Sequence, residues 1–243
     1  MNIFSILSIY DWLTLAWFVA AWTVYASYAR RAQAGRSSLL QVTNRYRYEW
    51  LLQSTLRDPR MVDSTITQML STTPSFFCST TILVIGGLLA VLGANEKAAD
   101  LVRDIPFVAR TTAMVFDIKL MALVVIFVYA FFRFSWSMRQ YTFVALVIGA
   151  MPPPSIFSIN ESDRQAYAKK AAGLVALAAE SFNDGLRAYY FAFAVVGWFV
   201  SPVVFFLATI AVLMILYRRE FKSDVLAMLA QSGSQTDFDR LNP

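Results

Sequence analysis

Two opposite charges stand at the start of one of the most apolar stretches of this chain. Asp117 and Lys119 occur in the run FDIKLMALVVIFVYAFFRFSWSMRQ, residues 116–140. Charged side chains within a transmembrane helix are rare, and they usually face other helices or a wet cavity through which ions or solutes move. Residues two positions apart point about 200° apart on a helix, so these two side chains cannot pair with each other. Each needs a partner elsewhere or access to water.

Charges at the ends of other apolar runs are the expected partners. Asp11 opens the first apolar run and Arg218 follows the last one. We expect Lys119 to meet Asp11, and Asp117 to meet Arg110 or Arg218, in an intramembrane polar cluster. The alternative is that Lys119 lies about 9 Å below the membrane surface and extends its long side chain to water.

A second charged group is expected on the cytoplasmic side of the membrane. Glu180 and Asp184 are one helical turn apart and Arg187 follows three residues later, so the three share a helix face. Paired carboxylates can perform acid–base chemistry or hold a cation. More often they bind neighbouring arginines and tie a helix to its surroundings, and Arg133 and Arg139 are the expected partners here.

The composition indicates a membrane protein. The 243 residues are 58% hydrophobic and 15% charged, whereas soluble domains have about 45–50% apolar and about 25% charged residues. Residues 64–95 and 188–217 contain no charge at all. Thirty residues of helix extend about 45 Å, more than the roughly 30 Å of a hydrocarbon core. We therefore expect an all-α integral membrane protein.

The chain lacks the residues on which most catalytic and metal sites depend. It has no histidine and a single cysteine, Cys78, within an apolar run. This excludes histidine-based triads, histidine-ligated metals and an intrachain disulfide. We expect no catalytic residues, no bound metal and no cofactor, although a site made of carboxylates alone stays open. The net charge of +5 comes from residues beside the apolar runs, which favours anionic lipid over nucleic acid as the partner.

Hydropathy and periodicity predict four transmembrane helices with long amphipathic helical extensions in the cytoplasm. The residues from 1 to 217 form one membrane domain, and 218–243 form a polar tail. The predicted spans are 10–28, 73–93, 111–132 and 188–217, and the cytoplasmic helices are 36–72 and 133–187.

Prolines predict where these helices break. The DPR sequence at 58–60 should break or bend the first cytoplasmic helix, and the three prolines at 152–154 should end the helix that begins at the third span. Residues 141–151 are too few to cross a bilayer, so this helix either continues outside it or re-enters, and we favour continuation. Pro74 suits a first helical turn, whereas Pro202 should kink the fourth span.

The distribution of Lys and Arg predicts the orientation. Seven lie between the first and second spans and six between the third and fourth, but three lie between the second and third and four in the C-terminal tail. Basic residues concentrate on the cytoplasmic side. Both termini are therefore expected outside the cytoplasm, although the basic residues directly after the last span argue against this for the C-terminus.

Four stretches carry a resemblance to a known family: FFCSTTILVIGG, YAFFRFSWSMRQY, GLRAYYFAFAVVGWF and YRREF. From about Arg45 to Lys222 the chain resembles the domain-of-unknown-function family five-nine-nine, membrane proteins of bacteria and plants. The resemblance implies a multi-pass protein of four membrane helices in the bacterial inner or plasma membrane. It implies no substrate, cofactor or catalytic residue.

Two functional hypotheses follow from the sequence. The first is a homo-oligomeric channel- or transporter-like assembly, suggested by the deep charges and by Pro202. The second is a scaffold or accessory subunit that binds lipid or another membrane protein, suggested by the 20 Phe, 11 Tyr and 6 Trp residues. An enzyme is the least favoured class.

Overall fold

A computed structural model describes residues 7–32, 38–94, 112–157 and 160–231 of the chain. Helix accounts for 90% of these described residues, and no strand occurs among them. The predicted all-α class is confirmed. The helices are α1 (Ile9–Ala32), α2 (Leu39–Ser54), α3 (Met61–Gly93), α4 (Ala113–Gly149), α5 (Pro154–Phe157), α6 (Glu161–Val200), α7 (Pro202–Phe221) and α8 (Asp224–Gln231).

Within the described part of the chain, three helical segments are long and apolar enough to cross a membrane. They are Met61–Gly93, Ala113–Gly149 and Pro202–Leu229. The first contains the predicted second span, the second contains the predicted third span from residue 113 onwards, and the last contains part of the predicted fourth. The predicted first span lies in α1, which is not among the three.

The first cytoplasmic helix of the prediction is divided where the DPR sequence stands. Ser38 caps α2 by accepting a hydrogen bond from the Gln41 backbone N–H at 3.2 Å. The helix ends at Ser54, and α3 begins at Met61. The prediction that Pro74 lies in the first turn of a helix was wrong, because α3 starts well before Pro74 and continues through it without a break. The apolar run therefore forms only the second half of a longer helix.

The helix that contains the third span continues without interruption to Gly149, as we expected. The backbone then turns through the three prolines, which cannot donate backbone hydrogen bonds. Arg60 compensates at this turn by donating to the carbonyl oxygens of Met151 at 3.0 Å and Pro152 at 2.5 Å. Its Nε also donates to the Ser54 carbonyl at 3.2 Å. One guanidinium thus fixes both the α2–α3 connection and the end of α4.

The predicted fourth span, 188–217, was wrong, because it consists of two helices packed side by side. Helix α6 ends at Val200 and α7 starts at Pro202, with Ser201 Oγ accepting from the Val204 backbone N–H at 3.1 Å. A Cβ placed on Gly197 would lie 3.4 Å from the Cβ of Ala208. About eleven residues of continuous helix would separate these positions by about 16 Å. The chain therefore reverses at Ser201 and does not merely kink.

The chain divides into two compact units. The first comprises Met1–Ser27, Pro74–Ser135 and Ser181–Ile215, and the second comprises Tyr28–Thr73, Trp136–Glu180 and Leu216–Pro243. Helices α1, α3, α4, α6 and α7 each contribute residues to both units.

Aromatic rings fill the interior of the first unit. Phe18 contacts Phe191 and Phe205, with ring centroids 5.6 and 5.1 Å apart. A second group surrounds Phe134, whose ring is within 5.6 Å of the rings of Phe77, Phe182 and Tyr189. Such edge-to-face and tilted contacts add to the stabilisation that burial alone provides.

The second unit has an aliphatic core. Helices α2, α4 and α6 bring together a cluster that consists of Leu51, Tyr141, Val144, Ile148, Ala171, Ala172, Val175 and Ala178. The alanines of α6 allow the helices to approach closely. At the edge of this unit α8 packs on α2, where the Tyr46 hydroxyl donates to the Leu229 carbonyl oxygen at 3.3 Å.

Gly185 marks a close approach of α6 to a side chain of α4 in the first unit. The sequence allows this residue to end a helix, but α6 continues through it. A Cβ at this position would lie 2.5 Å from Cε1 of Phe134, whose side chain is fully buried among other rings. The glycine is required because the ring occupies the space of a side chain.

We expect Gly185→Ala to lower the free energy of unfolding in detergent by about 1–3 kcal/mol, because a buried aromatic ring must be displaced. Gly173→Ala on the same helix is the matched control, since a Cβ placed there would have nothing within 4 Å. It should stabilise the protein by up to about 1 kcal/mol through helix propensity. Equal effects of the two substitutions would contradict the close approach at Gly185.

Candidate functional site

Asp11 lies at the start of α1 in a capping arrangement. Its Oδ2 accepts from the Ser8 hydroxyl at 2.6 Å and from the Ser8 backbone N–H at 3.2 Å. In return, Ser8 Oγ accepts from the Asp11 backbone N–H at 3.2 Å. This is the reciprocal pattern of a capping box, and the carboxylate also suits the positive end of the helix dipole. The Asp11 side chain is buried.

Lys119 belongs to α4, and its side chain reaches the C-terminal end of α6. Its ammonium group donates to the Trp198 carbonyl oxygen at 2.8 Å, and the residue is only 2% exposed. In a continuing helix the backbone N–H of residue 202 would donate to this carbonyl, but Pro202 has none. The preceding bond, from the Ser201 N–H to the Gly197 carbonyl, is present at 3.2 Å. Lys119 therefore supplies the donor that the proline removes.

Trp198 joins the two charged residues. Its indole N–H donates to Asp11 Oδ1 at 2.7 Å. The Lys119 ammonium lies 5.5 Å from the centroid of the same indole and 6.0 Å from that of Phe199, within the range of cation–π attraction. We call Asp11, Lys119 and Trp198 the deep polar cluster.

Other residues of the predicted intramembrane group lie elsewhere. Asp117 is half-exposed and makes no ion pair with any described residue. Arg110 lies outside the described residues. Arg218 is exposed in the last turn of α7. Asp11 and Lys119 thus each bind Trp198 and make no direct ion pair with each other, and Asp117 takes no part in these contacts.

The predicted cytoplasmic group has its centre at Asp184. Arg133 donates to Asp184 Oδ2 at 2.5 Å, and Arg187 donates to Asp184 Oδ1 at 2.9 Å. Arg187 is buried and its guanidinium carbon is 6.0 Å from the centroid of the Tyr25 ring. This triad ties α4 to α6 and contacts α1 within the first unit.

Two residues of the predicted network take no part in this triad. Arg139 is exposed, and its guanidinium carbon is 5.8 Å from the centroid of the Phe143 ring on the same helix. Glu180 is half-exposed and lines a groove of about 440 Å³ in the second unit, together with Lys169, Lys170 and Leu177. Asp184 thus pairs with two arginines, and Glu180 takes no part in those ion pairs.

Sequence reasoning missed Trp198 and Ser8, although both had signals. Ser8 and Asp11 have the spacing of a capping box. A proline at position 202 leaves the carbonyl of residue 198 without its helical donor, so that a substitute is needed. Which side chain provides that donor depends on helix packing, which local sequence patterns do not specify.

The arrangement binds each of the two charges to a helix end and joins both to Trp198. Asp11 uses both carboxylate oxygens, and Lys119 holds an otherwise unpaired carbonyl. The cluster therefore has a clear structural role, which is to fix α1, α4 and the α6–α7 reversal together.

Comparison with known families identifies the group of proteins to which the chain is related. Residues 13–225 match the family described as "Protein of unknown function, DUF599". The chain belongs to this family. No curated protein and no solved structure matches the chain. Membership of DUF599 agrees with the resemblance noted in the sequence, and the family description assigns no activity to its members.

We expect Lys119→Met to lower the free energy of unfolding in mixed micelles by about 1–3 kcal/mol, because the buried Trp198 carbonyl loses its donor. Asp117→Asn is the matched control, two residues away on the same helix. It should change stability by less than about 0.5 kcal/mol. If the two variants unfold alike, Lys119 does not hold the end of α6.

Proposed function

We propose that this DUF599 protein is an integral membrane protein that acts as a non-catalytic subunit of an assembly formed with copies of itself. Support for membrane insertion comes from the three apolar helices and from the charge-free runs. The observation that supports the assembly is the exposed face of α3. In the most apolar stretch of 18 residues, only 6% of α3 is buried, whereas 44% of the corresponding stretch of α4 is buried.

Small residues make this face suitable for helix association. Nothing lies within 4 Å of a Cβ placed at Gly86, Gly87 or Gly93. Large side chains such as Phe76 and Leu83 are exposed along the same helix. In lipid, helices associate through van der Waals packing, and small residues allow two backbones to approach. A two-fold contact between identical α3 helices places such residues on both sides of one interface.

Gly86→Ile should shift the protein from oligomer to monomer without unfolding it, because the added side chain fills space that is open within one chain. Light scattering of the protein–detergent particle or native mass spectrometry measures the change. Val196→Ile, at an exposed position of α6, is the control and should leave the oligomer intact. A wild-type protein that stays monomeric at every concentration in mild detergent would contradict the proposal.

We further propose that the chain crosses the bilayer five times. The reversal at Ser201 adds a crossing to the four that the sequence indicates. Segment 218–243, with four Lys and Arg, is then on the same side as segments 28–73, with seven, and 136–180, with four. This arrangement places the basic residues of all three segments in the cytoplasm, as the positive-inside rule requires. In this topology α1 begins outside the cytoplasm and α7 ends on the cytoplasmic side.

Cysteine labelling tests the number of crossings. In a Cys78→Ser background, Gln53→Cys and Asp224→Cys should react with an impermeant maleimide from the same side of the membrane. Thr112→Cys should react from the opposite side. All three positions are exposed. Four crossings would instead make Asp224→Cys react together with Thr112→Cys.

Channel- or transporter-like conduction is the second candidate, favoured by the depth of Asp11 and Lys119. The structural subunit ranks first because both residues already bind helix ends and Trp198. Ion flux into liposomes that contain the purified protein separates the two roles.

A further inference from the structure

Two helix ends meet in the second unit and carry a concentrated positive charge. Arg30 and Arg31 lie in the last turn of α1, and Arg218 and Arg219 in the last turn of α7. Lys222 directly follows α7. The two ends are in contact, because the ring centroids of Tyr28 and Phe221 are 5.6 Å apart. We call Tyr28, Arg30, Arg31, Tyr217, Arg218, Phe221 and Lys222 the basic–aromatic patch.

The patch combines exposed cations with half-buried rings. Arg30, Arg31, Arg218 and Lys222 are exposed, whereas the three aromatic side chains are only partly so. Tyr217 packs on Phe221 with centroids 5.4 Å apart, and the Lys222 ammonium is 5.9 Å from the Tyr217 centroid. The rings therefore pack against each other and against the side chain of Lys222, next to the other cationic groups.

Both helices reach the patch directly after apolar runs. No charge occurs between Trp12 and Ala29, nor between Ala188 and Tyr217. Tyrosines at the end of an apolar helix typically lie at the level of lipid headgroups. In the membrane-embedded protein proposed above, the patch is therefore at the boundary between hydrocarbon and water.

The positive charge exceeds what the helix ends need. Each helix C-terminus carries a partial charge of about −0.5, which cations in the last turn complement. Glu220 and Asp224 are the acidic residues nearby in sequence, against five cations in segments 30–31 and 218–222. An excess of positive charge remains at the surface, and an anion of the adjacent leaflet can neutralise it.

We propose that the basic–aromatic patch binds the headgroup of an anionic phospholipid. Arg30, Arg31 and Arg218 contact the phosphate oxygens through the paired hydrogen bonds that guanidinium groups make with phosphate, and Lys222 contacts them through its ammonium group. Tyr28, Tyr217 and Phe221 pack against the glycerol region and the start of the acyl chains. The proposed partner is thus an anionic lipid of the leaflet that lies beside the patch.

The test compares lipids on the purified full-length chain in non-ionic detergent. Phosphatidylglycerol should raise the unfolding temperature and remain bound in native mass spectrometry, and phosphatidylcholine should do neither. In R30Q/R31Q/R218Q/K222Q, affinity for phosphatidylglycerol should fall by about tenfold or more, because each cation near an anionic surface contributes to binding. The matched control R45Q/R139Q/K169Q/K170Q removes the same charge at other exposed positions of the second unit and should bind like wild type.

A charge-preserving variant tests whether a loss of lipid affinity in the glutamine variant comes from misfolding. R30K/R31K/R218K should keep the preference for phosphatidylglycerol even if the glutamine variant is unstable. Equal loss in the matched control, or equal binding of the two lipids, would overturn the proposal. Equal stabilisation by inorganic phosphate would assign the patch to a free anion, and equal stabilisation by oligoglutamate would assign it to an acidic polypeptide; either result overturns the lipid site.

The lipid site rests on the proposed membrane insertion but not on the proposed assembly. Cysteine labelling reports on insertion, and particle mass reports on assembly. Loss of lipid preference with normal labelling therefore rejects the patch alone.

Discussion

The first unit depends on one hydrogen bond from a buried ammonium group to a backbone carbonyl. Pro202 allows the chain to reverse after α6, but it also removes the donor that the Trp198 carbonyl would have had. A buried carbonyl without a donor costs about 1–3 kcal/mol. Lys119 restores the bond at 2.8 Å. The reversal, and with it the placement of α7 beside α6, becomes possible because a neighbouring helix provides the donor.

The same requirement explains why polar side chains occur in an aromatic interior. Asp11 accepts the Ser8 backbone N–H just before the start of α1 and the indole N–H of Trp198. Asp184 receives two guanidinium groups, so that neither Arg133 nor Arg187 is left without a counter-charge. Each charged side chain that is buried in the described ranges is thus held either by a helix end or by an opposite charge. The polar residues specify which helices are neighbours, and the rings around Phe134 and Phe18 fill the interior between them.

Local chemistry made much of this fold predictable from the sequence. Apolar runs indicated the helical class, the DPR sequence separated α2 from α3, and helical spacing placed Asp184 beside Arg187. The reversal at Ser201 was not predictable, because a proline within an apolar run is equally compatible with a kink. The packing of Gly197 on Ala208 decides between them, and that contact depends on residues far apart along the helices. Trp198 was missed for the same reason.

Arg60 illustrates how a single side chain restricts two distant loops. Its guanidinium group holds the carbonyls of Ser54, Met151 and Pro152 together. A lysine has a compact ammonium group in place of this planar fork, so it cannot reproduce the three bonds in the same geometry. Lengthening either connection by one residue would move its carbonyl out of reach. The two loops therefore have interdependent lengths, and an insertion accepted in one would require a compensating change in the other.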